Sequence, residues 1–233
     1  MNKNKAEHLN TRVIAFLILL VSAQRLCAQK QTEVGLLPSI NYNQKLKKGW
    51  DINFKFESRH FVFEKNAFQK SDFAYTYNLS DFSFLVGKKT GLNSKLVIGA
   101  LSRIETDSKT YRTIQQFIFK SKISSFRVAH RLATDQTFSA DQFPEYRLRY
   151  RLNAEVPLSG QQVDVKEFYF KFNSEVLHSL QNNTYDLEFR AVPNIGYVTN
   201  KQQKIEFGLD NRIDSFLIKQ AHFTSWLSIN WYL

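Results

Sequence analysis

Hydrophobic and polar residues alternate along most of this chain with a period of two. In 50–59, Trp50, Ile52, Phe54 and Phe56 fall on one side, and Asp51, Asn53, Lys55, Glu57 and Arg59 on the other. Successive side chains of an extended strand point to opposite faces, so the segment reads as a strand with one oily and one charged face. Segment 146–156 repeats the pattern. Tyr146, Leu148, Tyr150, Leu152, Ala154 and Val156 alternate with Arg147, Arg149, Arg151, Asn153 and Glu155. A helix would scatter these arginines around its circumference, whereas a strand sets them in one row.

The same alternation recurs at 34–42, 73–79, 126–132, 168–173, 185–191, 205–209 and 223–233. Weaker strands are expected at 82–88, 95–105 and 111–120. Turn-forming clusters separate the runs, among them Lys47-Lys48-Gly49, Gly91-Leu92-Asn93-Ser94, Asp107-Ser108-Lys109, Ser159-Gly160, Gln181-Asn182-Asn183 and Asn200-Lys201-Gln202-Gln203. Longer connections are expected at 61–70, 135–143 and 214–222. No segment carries a helical stripe. The pattern predicts an all-β chain: a single antiparallel up-and-down transmembrane β-barrel of about 12 strands (about 10 to 12).

Periodicity leaves open which face looks outward. A soluble sandwich or barrel turns its oily face in; an outer-membrane barrel turns it to lipid and lines its lumen with polar groups. Four features favour the membrane. Several runs are long enough for a tilted strand to cross a bilayer. Trp50, Tyr42, Tyr77, Tyr111, Tyr146 and Trp231 stand near strand ends, as in an aromatic girdle. The charged faces mix Arg with Glu. The chain closes on an alternating aromatic run, as barrel-insertion signals do.

The first 28 residues form a different pattern. Lys3, Lys5 and Arg12 precede an apolar stretch from Val13 to Ala23, and Leu26-Cys27-Ala28 precedes Gln29. This is the three-part layout of a secretory signal peptide; the stretch is shorter than the ~20 residues that a membrane-spanning helix needs. Residues 1–28 are expected to be removed, leaving a barrel domain at 29–233 in the bacterial outer membrane. The Gln24-Arg25-Leu26 triplet before Cys27 lacks the small residues that a lipid-anchoring site requires.

Composition narrows the chemistry. Cys27 and Met1 are the sole cysteine and methionine, so a disulfide framework, a thiolate metal site and a cysteine nucleophile are excluded from 29–233. The formal charge is +11, of which +3 belongs to residues 1–28 and +8 to the remainder. Such a balance often signals nucleic acid, which an exported chain does not meet. Outer-membrane lipid and the phosphates of lipopolysaccharide are the expected partners, with the barrel-insertion machinery engaging the C-terminal strand. No cofactor and no metal is expected, since no histidine pair has ligand spacing.

The charged face supplies the candidate site: Glu57, Arg59, Arg127, Arg131, Arg147, Arg149, Arg151, Glu155, Glu175, Glu188, Arg190, Glu206, Asp210 and Arg212. Asp51, Lys55 and Lys171 share its parity. Arginine pairs with carboxylates through a planar fork, so such a set can cross-link neighbouring strands. The expected role is a braced, plugged lumen or a narrow pore favouring anions, not an enzyme. Two alternatives remain: a lipid-modifying outer-membrane enzyme using His178 and Ser179, and a secreted soluble β-sandwich or barrel acting as a binding protein.

Five segments carry a resemblance to a known family. They are Trp50-Asp51-Ile52 with Glu57-Ser58-Arg59; Arg112 with Gln115-Gln116; His130-Arg131-Leu132; Tyr146-Arg147-Leu148-Arg149-Tyr150-Arg151; and Asn173-Ser174-Glu175-Val176 with Ile205-Glu206-Phe207-Gly208-Leu209. In this order they resemble the bacterial outer-membrane barrel family known as domain-of-unknown-function family 2490. The resemblance implies an integral outer-membrane barrel without an assigned activity, and it supplies no catalytic residues. Leu233 departs from the terminal Phe common in such barrels, and Trp231 and Tyr232 partly stand in for it.

Overall fold

The computed structural model describes residues 31–65, 72–140, 142–215, 217 and 221–233. The expected signal peptide lies outside the described residues. Eleven strands run in chain order: β1 (Gln31–Lys45), β2 (Trp50–Lys65), β3 (Asp72–Lys89), β4 (Ser94–Glu105), β5 (Lys109–Ile123), β6 (Phe126–Ser139), β7 (Gln142–Pro157), β8 (Phe168–Gln181), β9 (Thr184–Val198), β10 (Lys204–Asp214) and β11 (His222–Tyr232). Each pairs with the next, and β1 pairs with β11, so the sheet closes on itself. Closure leaves no strand edge with unpaired backbone groups.

Eleven is an odd number, and that decides the seam. In an up-and-down meander an odd count leaves the first and last strands pointing the same way. The β1–β11 pair is accordingly parallel, with Leu36 opposite Leu227 and Ile40 opposite Trp231, while the other ten pairs are antiparallel. The wholly antiparallel barrel expected from the sequence is corrected at this one junction. Leu233 finishes the seam, donating its N–H to the Asn41 carbonyl at 2.8 Å and accepting the Asn43 N–H at 3.0 Å.

The twelfth expected strand disappears into β3, where 73–79 and 82–88 are one continuous element. Its exposed aromatics occupy odd positions at Phe73, Tyr75 and Tyr77, then even positions at Phe82 and Phe84. The switch has a structural cause. Pairing with β2 slips between Arg59↔Leu79 and His60↔Tyr77, leaving Asn78 as an extra residue. A bulge reverses which parity faces outward, so one strand looks like two in the sequence.

The connections also differ from expectation. Segment 135–143 is not a loop: β6 continues to Ser139 and β7 begins at Gln142. Its Asp, Gln and Thr residues resemble turn chemistry, yet in this barrel they occupy strand faces. Strand β2 likewise runs on to Lys65, and 66–71 lie outside the described residues. Of the connection at 214–222, Asp214 ends β10 and His222 begins β11; residues 216 and 218–220 lie outside the described residues. The turn between β8 and β9 needs only Asn182 and Asn183, at φ 45° and 60°, the pairing of positive φ values that a tight type I′ hairpin demands.

The partition of residues is inverted relative to a soluble domain. Among the described residues, 15 polar or charged side chains are buried against eight hydrophobic ones, while 41 large hydrophobics are exposed. Every strand contributes to the outer band, through Ile40, Phe54, Phe84, Ile98, Phe117, Leu132, Leu148, Phe168, Ile195, Phe207 and Leu227. Phe54 and Leu148 are 48 % and 46 % exposed, whereas the side chain of Arg149 between the same strand faces is 14 % exposed. A polar exception on the outer wall satisfies itself: Gln115 and Gln136 exchange amide hydrogen bonds at 3.3 and 3.2 Å, and Thr134 and Thr113 donate to their oxygens.

Candidate functional site: the lumenal charge network

Strand register builds the network. Inward positions of adjacent strands lie opposite one another, so charge pairs follow directly from pairing. Asp81 faces Arg103, Asp135 faces Arg147, Glu175 faces Arg151 on one side and Arg190 on the other, and Arg127 faces Glu155. Several opposed pairs carry like charge, among them Arg131 with Arg151, Arg190 with Arg212, and Glu57 with Asp81. Such pairs are unfavourable unless a third group intervenes. Glu175 binds both Arg131 and Arg151, Arg59 reaches both Glu57 and Asp81, and Arg190 and Arg212 each take a private carboxylate, Glu188 and Asp210.

Two carboxylates act as hubs for arginine. Glu175, on β8 and 1 % exposed, accepts from Arg151 Nε at 2.5 Å, Arg149 Nη2 at 2.6 Å and Arg131 Nη2 at 2.7 Å, with Arg190 Nη1 at 3.7 Å. Asp135, on β6 and 0 % exposed, takes Arg147 Nε at 2.5 Å, Arg149 Nη1 at 3.3 Å and Arg112 Nε at 3.6 Å. Two other pairs are bidentate. Arg103 grips Asp81 with two bonds of 2.8 Å, and Arg212 grips Asp210 at 3.0 and 2.7 Å. Charge-assisted forks of this kind are the strong class of hydrogen bond.

Lysine and arginine segregate along the axis. Lys95, Lys171 and Lys204 lie near the barrel end where β4, β8 and β10 begin. There Glu206 collects Lys171 at 2.5 Å, Lys204 at 3.0 Å and the hydroxyls of Tyr169 and Tyr232 at 2.6 and 3.2 Å. Lys204 also sits over the rings of Tyr169 and Tyr232. Arg103, Arg112, Arg147 and Arg212 lie toward the opposite end. Between them the wall encloses a cavity of about 750 Å³, lined by thirteen Lys or Arg and eight Asp or Glu side chains.

Of the sequence-derived candidates, Glu57, Arg59, Arg131, Arg147, Arg149, Arg151, Glu155, Glu188, Arg190, Glu206, Asp210 and Arg212 line this cavity, and Glu175 lies buried beneath its arginines. Arg127 does not join them; its side chain is 47 % exposed and pairs with Glu155 near a barrel end. The sequence reading missed Asp81, Arg103, Arg112 and Asp135. Asp81 fell in the gap between two apparent strands, and Asp135 in an apparent loop. Parity held the signal for the latter, since Arg131, Ala133 and Asp135 are two residues apart.

The His178–Ser179 pair lies within β8 and points to opposite sides of the wall, with His178 bonded to the Tyr185 hydroxyl on the outer surface. Among the described residues, no group of three His, Cys, Asp or Glu is placed to hold a metal ion.

In comparisons with known proteins, neither a curated protein nor a solved structure matches the chain. The model of one family, described as "Protein of unknown function (DUF2490)", matches residues 35–217, a span from β1 past the end of β10. The chain therefore belongs to the DUF2490 family.

Proposed function

We propose that this chain is an integral protein of a bacterial outer membrane, exported by way of a removable signal peptide at 1–28, with a lumen braced by ion pairs. The carrying observation is the inverted partition: a closed barrel with an apolar girdle on every strand and its charges inside. In water that surface would leave far more contiguous apolar area exposed than soluble monomers tolerate. In lipid it is the favourable arrangement, and closure answers every backbone hydrogen bond. The strands, 11 to 18 residues long, exceed the ~9–11 that a tilted crossing requires.

Lipid and lipopolysaccharide phosphates are the partners this surface suits. Exposed Lys45, Lys47, Lys48, Lys89, Lys122, Lys166 and Lys201 crowd the turns at one end, where they can meet anionic headgroups. The alternating β11 would be the strand offered to the insertion machinery. Eleven strands fall between barrels filled by side chains at ~8 and aqueous pores at ~16–18. The interior holds both a dense ion-pair wall and a cavity, so bracing is the main reading and a narrow anion-favouring passage the second.

Fractionation tests the first reading. The processed chain should sediment with outer membranes, and unboiled samples should migrate differently from boiled ones on a detergent gel. Processed chain free in culture supernatant, with identical mobility in both samples, refutes it.

A further inference from the structure

The wall formed by β5 to β9 carries more guanidinium than its own carboxylates can answer. Asp135 and Glu175 between them receive six arginines, namely Arg112, Arg131, Arg147, Arg149, Arg151 and Arg190. Glu188 adds a carboxylate to Arg190, Glu145 stands 3.7 Å from Arg147, and Glu155 pairs with a seventh arginine, Arg127. Concentrated like charge in a partly desolvated wall is unfavourable without a counter-ion. A second observation points the same way. Nη2 of Arg147 and Nε of Arg131 are buried without a hydrogen-bond partner, although both side chains line the cavity. Unmade hydrogen bonds from buried charged donors are costly, and an acceptor in the cavity would answer them once either side chain turns toward it.

We propose that this wall binds a soluble phosphorylated anion carrying more than one oxyanion group. Arginine forks match tetrahedral oxyanions bidentately. Two groups are called for because the two unanswered donors sit apart: Arg147 lies opposite Asp135, four residues along β6 from Arg131. The cavity, at about 750 Å³, falls within the size range of small-molecule sites. Lipid phosphate has the same chemistry but lies outside the closed wall, so the ligand is a free solute. The site rests on lumen geometry alone and does not depend on whether lipid or water surrounds the barrel.

Titration calorimetry on the purified full chain in non-ionic detergent tests this, with phosphate, pyrophosphate and tripolyphosphate as probes. Tripolyphosphate should bind saturably, more tightly than phosphate, under conditions where chloride of equal ionic strength gives no binding. Arg147→Gln and Arg131→Gln should each weaken it by about tenfold or more, while Arg147→Lys should retain more affinity than Arg147→Gln. Circular dichroism checks that each variant folds. If Arg147→Gln does not, Arg131→Gln decides, because Glu175 keeps three other arginines. Binding no stronger than chloride, unchanged binding in the folded glutamine variants, or equal weakening by Arg127→Gln near the barrel end overturns the proposal. So does displacement of bound tripolyphosphate by micelles doped with anionic phospholipid, which would assign the phosphate to lipid.

Discussion

Asp135 and Glu175 stand two strands apart, on β6 and β8, and share one guanidinium: Arg149, from the strand between them, reaches Asp135 with Nη1 at 3.3 Å and Glu175 with Nη2 at 2.6 Å. Three strands are thereby tied by one side chain across their inner faces. The tie runs through buried carboxylates, so its consequences for stability differ from those of an exposed ion pair.

Removing a hub should therefore cost more than removing a pair nearer the barrel ends. Glu175→Gln leaves Arg131, Arg149, Arg151 and Arg190 facing one another without their shared anion. Breaking a buried charge network from one side typically costs about 3–5 kcal/mol. Glu155→Gln strips a single 3.2 Å contact from an Arg127 side chain that is 47 % exposed, and should cost about 1 kcal/mol or less. Denaturant unfolding of the two variants, followed by circular dichroism, should separate them. Equal losses would show that the hub is no more than a set of surface-like pairs.

The parallel seam offers a steric test. Gly35 of β1 faces Trp226 of β11, and a Cβ at Gly35 would lie 2.5 Å from both the indole ring and the His60 carbonyl oxygen. The carbonyl belongs to the backbone of β2 and cannot swing away. Gly35→Val should lose at least about 1–3 kcal/mol through overpacking, and it should slow closure, because the β1–β11 contact is the most distant in sequence. Refolding kinetics should show the delay. A variant that folds at the native rate would mean that the seam has slack around Trp226.

Much of this architecture was legible in the chain. Strict alternation in β2 and β7 separated two faces, and the structure sets Arg147, Arg149 and Arg151 in one row on the inner one. Legibility failed where the period broke. Asn78 inserts a residue into β3 and makes one strand resemble two, and the count of twelve came from that phase change. Asp135 was lost because a lumen-facing strand and a polar loop share a composition. The parallel seam follows from the parity of the strand count, which no local pattern carries. The hubs were harder still. A sequence shows that Glu175 belongs to the inner face, but only the register brings four arginines from three other strands to it.

If a narrow passage exists, its selectivity should follow the cavity's basic excess. Purified protein in planar bilayers should give small conductance steps with reversal potentials favouring chloride over potassium, because positive linings raise local anion concentration. Arg103→Glu and Arg112→Glu, on neighbouring strands of the lining, should shift that reversal toward cations. Silent bilayers from properly folded protein would leave bracing and anion holding as the lumen's roles.

The orientation of the two faces is open to chemical labelling, because the chain has one cysteine, Cys27. Single substitutions along β7 probe both sides of one strand. Leu148→Cys and Leu152→Cys place the thiol on the exposed apolar face, and Asn153→Cys places it in the cavity lining. Cys27→Ala supplies the background if that residue is retained. In membranes, the two outward thiols should resist a charged, water-soluble maleimide yet react with a lipid-soluble one, since hydrocarbon excludes the charged reagent. A water-soluble barrel would expose the same positions to both reagents at similar rates. Leu148→Arg adds an energetic arm. On a lipid-facing wall near the midplane it should cost about 2–4 kcal/mol, whereas a surface position in water tolerates arginine within about 0.5 kcal/mol. Reaction of both outward thiols with the charged reagent, together with a neutral Leu148→Arg, would place the apolar girdle in water and defeat the membrane reading.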